Sequence, residues 1–265
     1  MATVLLLRHG RTTANADGIL AGRQPVELDD AGRDQAGAVG VRLAAAGLPL
    51  GAVVTSPLRR CLQTLGLALP GTQPVVDERF TECGYGSWTG QPLRQLAKDP
   101  LWSVVQAHPS AVAFPGDGGE AMSAMSVRAV AAVRDWDARV TAAHGPDALW
   151  LVCSHGDVIK SVVADALGLH LDQFQRITAD PASITVIRYT PLRPFVLRLN
   201  DTGGDLGGLR PPAKGRRRSR RRCWPRAARS RPSSGRRCRP APPGRSRPRS
   251  SHRTSTGTSP RRPSG

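Results

Sequence analysis

Val4-Leu5-Leu6-Leu7-Arg8-His9-Gly10 decides the reading of this chain. A short apolar run ends abruptly in Arg8-His9-Gly10 and continues as Arg11-Thr12-Thr13-Ala14-Asn15. So few apolar residues cannot form a helix core, but they suit a buried strand that delivers its last side chains to a sheet edge. By itself the segment is also what any buried strand with a polar tip looks like. The rest of the chain separates the two.

Two other predicted strands end the same way. Ala52–Thr55 runs into Ser56-Pro57, just ahead of Arg59 and Arg60, and Ala148–Cys153 runs into Ser154-His155-Gly156. Between them the pattern predicts a helix from Asp29 or Asp30 to Gly47, with one of the aspartates as its cap. A second helix follows with Pro57 at its first position, and a short third strand spans 73–76. Ala14–Pro25, Phe80–Gly90 and Phe114–Gly119 read as loops, the last a mobile one. Arg94–Val105 reads as partly helical and broken by Pro100. A long helix is predicted over 120–143 and another over 157–167. Ser183–Tyr189 and Phe195–Leu199 read as a closing antiparallel hairpin. Alternating strands and helices predict an α/β three-layer sandwich. Its central sheet is mostly parallel, with helices on both faces. Ligands of such sheets bind beyond the carboxyl ends of the strands, where Arg8-His9, Ser56 with the arginines, and Ser154-His155 converge.

Composition divides the chain in two. All 20 acidic residues precede Gly208, whereas residues 209–265 carry 20 of the 38 Lys and Arg. The net charge of +18 therefore belongs to the tail, and residues 1–208 are close to neutral. Residues 1–208 are read as the single domain. Residues 209–265, nearly all Arg, Pro, Ser, Gly and Ala, cannot bury a core and are predicted to be disordered. Two readings of the tail stand: the out-of-frame product of a GC-rich gene, which is preferred, and a tether to nucleic acid driven by counterion release. Cys61, Cys83 and Cys153 are odd in number and have no metal-ligand spacing, which suggests a reduced, intracellular protein. No targeting segment is visible, so the expected location is cytoplasmic. No run approaches the ~20 apolar residues of a membrane helix.

The chemistry suggested is phosphoryl transfer. Arginine forks match phosphate oxygens, a neutral imidazole can attack phosphorus, and a carboxyl or second histidine can protonate the leaving oxygen. There is no Gly-Lys-Ser/Thr phosphate loop and no aspartate cluster for two metals, so neither a cofactor nor a metal is expected.

These residues carry a resemblance. Leu7–Asn15 resembles the signature of the histidine phosphatase superfamily, the phosphoglycerate-mutase-like enzymes. Gly22-Arg23 with Leu28, Gly32 and Gln35-Ala36, then Thr55–Thr64, Arg79–Gly90 and Ser154-His155-Gly156, resemble its further blocks in order. The resemblance covers roughly residues 3–200. It implies that His9 attacks phosphorus and becomes phosphohistidine, while Arg8, Arg60 and His155 hold the phosphoryl oxygens. Glu82 would serve as proton donor and then as base for water. Thr12 and Asn15 would complete the phosphate cage, and Gly22 and Gly156 belong to the same substrate-binding set. The resemblance prefers Arg60 to Arg59, because Arg60 lies four residues after Ser56, where the family places its arginine. Arg59 then reads as a solvated helix residue. Arg11 and Arg23 fit a pocket rim or plain surface equally, and Glu120 a substrate contact or a first-turn helix acid.

The resemblance implies a phosphomonoester hydrolase acting on a small phosphorylated metabolite. The alternatives are a phosphomutase and, from another class, a phosphate-recognising nucleic-acid-binding protein. The cofactor-dependent mutases carry Glu-Arg-His-Tyr-Gly where this chain has Glu82-Cys83-Gly84-Tyr85-Gly86. That departure favours hydrolysis. Trp88, Trp102 and Phe114 would form an apolar rim suited to a larger substrate. Oligomeric state is left open.

Overall fold

The computed structural model describes residues 1–203; the tail and the boundary expected near 208 lie outside them. β1 (Thr3–Arg8), β2 (Leu50–Thr55), β3 (Val75–Val76), β4 (Leu149–Ser154), β5 (Ile184–Arg188) and β6 (Phe195–Asp201) form one sheet in the order β3-β2-β4-β1-β5-β6. The β3–β2, β2–β4 and β4–β1 pairs are parallel. The β1–β5 and β5–β6 pairs are antiparallel, so the antiparallel part begins at β1 and not only in the final hairpin.

Alternation along β1 shows why helices must cover both faces. Successive side chains of a strand point to opposite sides. Val4 and Leu6 pack with Trp150 and Val152 against α6 (Met122–His144) and α7 (Gly156–Ala166). Leu5 and Leu7 pack with Leu151 and Cys153 against α2 (Asp30–Ala46) and α3 (Arg59–Ala68). Asp137, buried on α6, accepts the Ala2 N–H at 2.8 Å and fixes the start of β1. Among the described residues no helix is long and apolar enough to cross a membrane.

Several local expectations need correction. The segment expected as a loop, Ala14–Pro25, is not all loop: α1 (Thr13–Asp17) covers its start, capped by a reciprocal pair in which Thr12 Oγ1 accepts from Asn15 N and Asn15 Oδ1 accepts from Thr12 N. Helix α3 starts at Arg59, so Pro57 precedes it. Pro100 does not break one helix; it opens a second. α4 (Leu93–Leu96) ends first, and α5 (Pro100–Ala107) starts on the proline, where a missing N–H costs nothing. Helix α6 begins at Met122, which leaves Glu120 outside it. Trp88, Trp102 and Phe114 do form a cluster, with Trp88 stacked on Trp102 at 6.2 Å and edge-on to Phe114 at 5.4 Å. However, Trp88 and Phe114 are core residues and not a solvent-facing rim.

Candidate active site

The sheet register builds the site. Arg8 lies beside Ser154 across β1 and β4, so the residues that follow, His9 and His155, leave the sheet side by side. Their ring centroids are 5.3 Å apart. Two backbone bonds hold the exit points, His9 N to Ser154 O and Ser56 N to Cys153 O, both 3.0 Å. The β2 exit thereby reaches the same place. Gly10 must be glycine: a Cβ there would meet the Gly32 carbonyl at 2.5 Å.

Hydrogen bonds fix the protonation of both rings. His9 Nδ1 lies 2.7 Å from the Gly10 carbonyl. A carbonyl can only accept, so Nδ1 carries the proton and Nε2 keeps its lone pair. Burial, with Arg60 and Arg8 nearby, holds the His9 imidazole well below its ordinary value of 6.5. His155 has the opposite tautomer. Arg60 Nε donates to its Nδ1 at 3.2 Å, so Nε2–H donates to Ser56 Oγ at 2.7 Å. Burial and the Arg60 charge also keep His155 neutral.

The two arginines flank this pair. Arg60, buried, donates through Nη2 to Gly22 O at 2.8 Å and through Nη1 to Gln24 O at 3.2 Å. With Nε on His155, three of its five N–H groups are used and two remain for an anion. Gly22 thus enters the site through its carbonyl, in a left-handed turn with φ +53°. Arg8 Nη1 donates to Ala179 O at 2.5 Å. Its Nε is buried without a hydrogen-bond partner among the described residues, an arrangement that costs free energy unless an acceptor arrives. Gly156 lies against this guanidinium; a Cβ there would sit 3.4 Å from Arg8 Cζ. Thr12 is buried and, with Asn15, builds the α1 cap next to the His9 turn.

Glu82 arrives from a different quarter, the loop after the short 3-10 turn Glu78–Phe80. It is buried, and the Cys83 N–H donates to its Oε1 at 2.9 Å. Burial and the Asp157 carboxylate push the Glu82 carboxyl up to about 7, against the pull of the Cys83 N–H, Arg60 and Arg8. A carboxyl so placed holds a proton near neutrality, as a general acid must. Asp157, absent from the sequence-based set, accepts from the Tyr85 hydroxyl at 2.7 Å and sits 3.4 Å from Lys160 Nζ. Its signal was its place directly after His155-Gly156.

Other candidates separate cleanly. Arg59 is exposed and pairs with Glu27 at 2.8 Å, a solvated helix residue as expected. Arg11 pairs with Asp29 at 2.7 Å. Glu120 is neither a free substrate contact nor a helix acid: it takes Arg128, Arg23 and the Gly84 N–H. Cys153 and both α6 methionines are core, and His108, His144 and His170 are exposed. Cys83 is fully buried, and burial first, then nearby carboxylates, push its thiol far up, so it is not a reactive thiolate. The loop at 114–119 is tied to the Glu82 loop, with Ser87 N on Pro115 O at 2.7 Å and Glu120 N on Gly84 O at 2.8 Å. Among the described residues no group of three or more His, Cys, Asp or Glu is placed to hold a metal ion.

The profile of the histidine phosphatase superfamily (branch 1) matches residues 4–202. The chain belongs to that superfamily. Phosphomonoester hydrolysis through a phosphohistidine follows from this membership. The glucosyl-3-phosphoglycerate phosphatase of Mycolicibacterium vanbaalenii is 33% identical over 175 residues, 64% of this chain and 76% of that protein. An acid phosphatase of Mycobacterium tuberculosis is 32% identical over 184 residues, 69% and 84% of the two chains. Among solved structures, the mycobacterial glucosyl-3-phosphoglycerate phosphatase complexed with VO3 superposes with a TM-score of 0.64 at 25% identity, covering 75% of this chain and 98% of that one. Phosphoserine phosphatase from Entamoeba histolytica, in complex with 3-phosphoglyceric acid, gives 0.68 at 21% identity over 77% and 98%, and shares the fold.

Proposed function

We propose that this superfamily member works as a cytoplasmic phosphatase of small phosphorylated metabolites, with His9 as nucleophile and Glu82 as acid and base. The observation that carries the reading is the His9 ring: neutral, its Nε2 lone pair free of the Nδ1 bond to Gly10, and set between the charges of Arg8 and Arg60. In the first step Nε2 bonds to phosphorus as the ester P–O bond breaks, and the leaving oxygen takes the Glu82 proton. In the second, the Glu82 carboxylate takes a proton from water, whose oxygen bonds to phosphorus while the P–N electrons return to Nε2. Arg8, with its unpartnered Nε, and Arg60, with two spare N–H groups, neutralise the three equatorial oxygens. His155, bonded to Arg60 Nε and to Ser56 Oγ, and the Thr12–Asn15 cap complete the proposed set. Free cysteines at 61, 83 and 153 support a reducing location.

Hydrolysis is favoured over mutase chemistry at Gly84. A Cβ there would meet the Gly118 carbonyl at 2.2 Å, so no basic side chain fits two residues after Glu82 to hold a second anionic group. The relatives' names give the substrates to try first: phosphoserine and glucosyl-3-phosphoglycerate. The test is phosphate release from a panel of metabolite monoesters, with EDTA and without any bisphosphate. Release from at least one alkyl phosphate is expected. Intermolecular or intramolecular transfer that requires a bisphosphate primer would replace this reading with the mutase.

A further inference from the structure

The residue that presents Glu82 does not lie near it in sequence. The loop Arg79–Gly84 has no regular structure beyond its opening turn, yet its carbonyls converge on one guanidinium. Arg128, in the second turn of α6 and four-fifths buried, donates through Nη1 to Arg79 O and Thr81 O, both at 2.7 Å, and through Nη2 to Glu82 O at 3.2 Å. Glu120 in turn holds Arg128 from the other side: Nε to Oε1 at 2.7 Å and Nη2 to Oε2 at 2.9 Å. The same Oε2 accepts the Gly84 N–H at 3.1 Å and Arg23 Nη2 at 2.9 Å, and Arg23 Nε reaches Glu82 O at 2.9 Å. The backbone on both sides of Glu82 is therefore clamped by one bidentate Arg–Glu pair, with Arg23 closing the outer side. Bidentate pairs fix orientation as well as distance.

We propose that Arg128, oriented by Glu120, is the positioning residue that aims the Glu82 carboxyl at the leaving oxygen. Arg128 does not itself donate to substrate; its donors are spent on the Glu82 loop and on Glu120. Burial works to raise the Glu120 carboxyl, but Arg128 and the Gly84 N–H outweigh it and hold Glu120 below its ordinary range, so the clamp stays charged where the enzyme works. The inference rests on Glu82 being the acid, as proposed above.

The test is a double-mutant cycle on the full chain, read by quench-flow formation of the phosphoenzyme. Two substrates are compared: phosphoserine, whose alkoxide must be protonated to leave, and 2,4-dinitrophenyl phosphate, which leaves unaided. Arg128→Lys keeps the charge but not the fork. It is expected to slow phosphorylation by phosphoserine about 10- to 100-fold, since small misplacements of a reacting group cost that much, and by dinitrophenyl phosphate less than about threefold. In a Glu82→Gln background the same substitution should change neither rate by more than about twofold, because there is no proton left to aim. Equal loss on both substrates, or a full additional loss in the Glu82→Gln background, overturns the positioning role. If Glu82→Gln alone fails to distinguish the two substrates, it is the acid assignment that falls. Should Arg128→Lys not fold, Glu120→Gln, which leaves Arg128 in place but loosens it, is held to the same pattern.

Discussion

The two halves of the proposed active site are built by different means. The phosphate half (Arg8, His9, Ser56, Arg60 and His155) stands on the ends of three adjacent parallel strands and on the first turn of the helix after β2. Its geometry is set by sheet register, and its supports are close by: Gly10 N on Thr64 Oγ1 at 3.0 Å, and Thr64 Oγ1 on Arg60 O at 2.7 Å. The acid half (Glu82 and its loop) stands on no strand or α-helix. Arg128, 46 residues further along, holds it, together with Glu120 and Arg23. Damage to the first half should therefore remove the chemistry outright. Damage to the second should remove protonation and leave phosphate recognition in place.

The largest effect expected is from His9→Ala, which removes the proposed nucleophile. Turnover should fall by at least about 10³-fold. A smaller loss, measured as phosphate release, would mean that water attacks directly and that the strand-end half only binds.

Glu82→Gln is next. It should lower kcat for alkyl phosphates by about 10²- to 10⁴-fold with little change in KM, which separates acid chemistry from phosphate binding. It should also raise stability at alkaline pH. Glu82 gives up its proton near its ordinary value of 4.5 in the unfolded chain but only near 7 in the fold. Stability from this carboxyl is therefore whole below 4.5, falls between 4.5 and 7, and is lost above, by an amount on the order of 3 kcal/mol. Denaturant unfolding at pH 8 should find the Gln variant more stable, and at pH 4 it should find the two equal. The opposite order at pH 8 would mean that the charged carboxylate is the form the fold prefers.

How much of this was legible without the structure follows the same division. The strand-end half was visible because period and punctuation mark it: an apolar run, then Arg8-His9-Gly10 or Ser154-His155-Gly156. The choice of Arg60 over Arg59 came from the resemblance, which places its arginine four residues after the serine. The fold followed from the same alternation of strands and helices. The acid half was half visible. Glu82 stood out in its block, but Arg128 is one of several arginines on α6 and carries no local mark. Glu120 was placed in a helix that in fact begins at Met122. The pairing of β5 with β1 was likewise hidden, since antiparallel order between strands so far apart leaves no local pattern. Helix α1 was missed because its signal is one Thr12–Asn15 cap over five residues, too short for periodicity to show.

Smaller effects sharpen the comparison. The pH profile of kcat/KM should fall on the alkaline side near 7, as Glu82 loses its proton, and on the acid side well below 6.5, as His9 gains one. Asp157→Asn should move only the alkaline limb, and downward, because it removes a negative charge that helps Glu82 keep its proton. An acid limb that moved instead would show that Asp157 belongs to the phosphate half.

The central claim is that His9 carries the phosphoryl group. Acid-labile, alkali-stable phosphate should appear on the His9 peptide when the enzyme is quenched in alkali during turnover of an alkyl phosphate, and peptide mass spectrometry can place it. Glu82→Gln, which lacks the base for water, should accumulate it from dinitrophenyl phosphate. Label on His9 in the wild type, and none in His9→Ala, is the result predicted. Label on another residue, or full turnover with no phosphoenzyme at any quench time, would contradict the account.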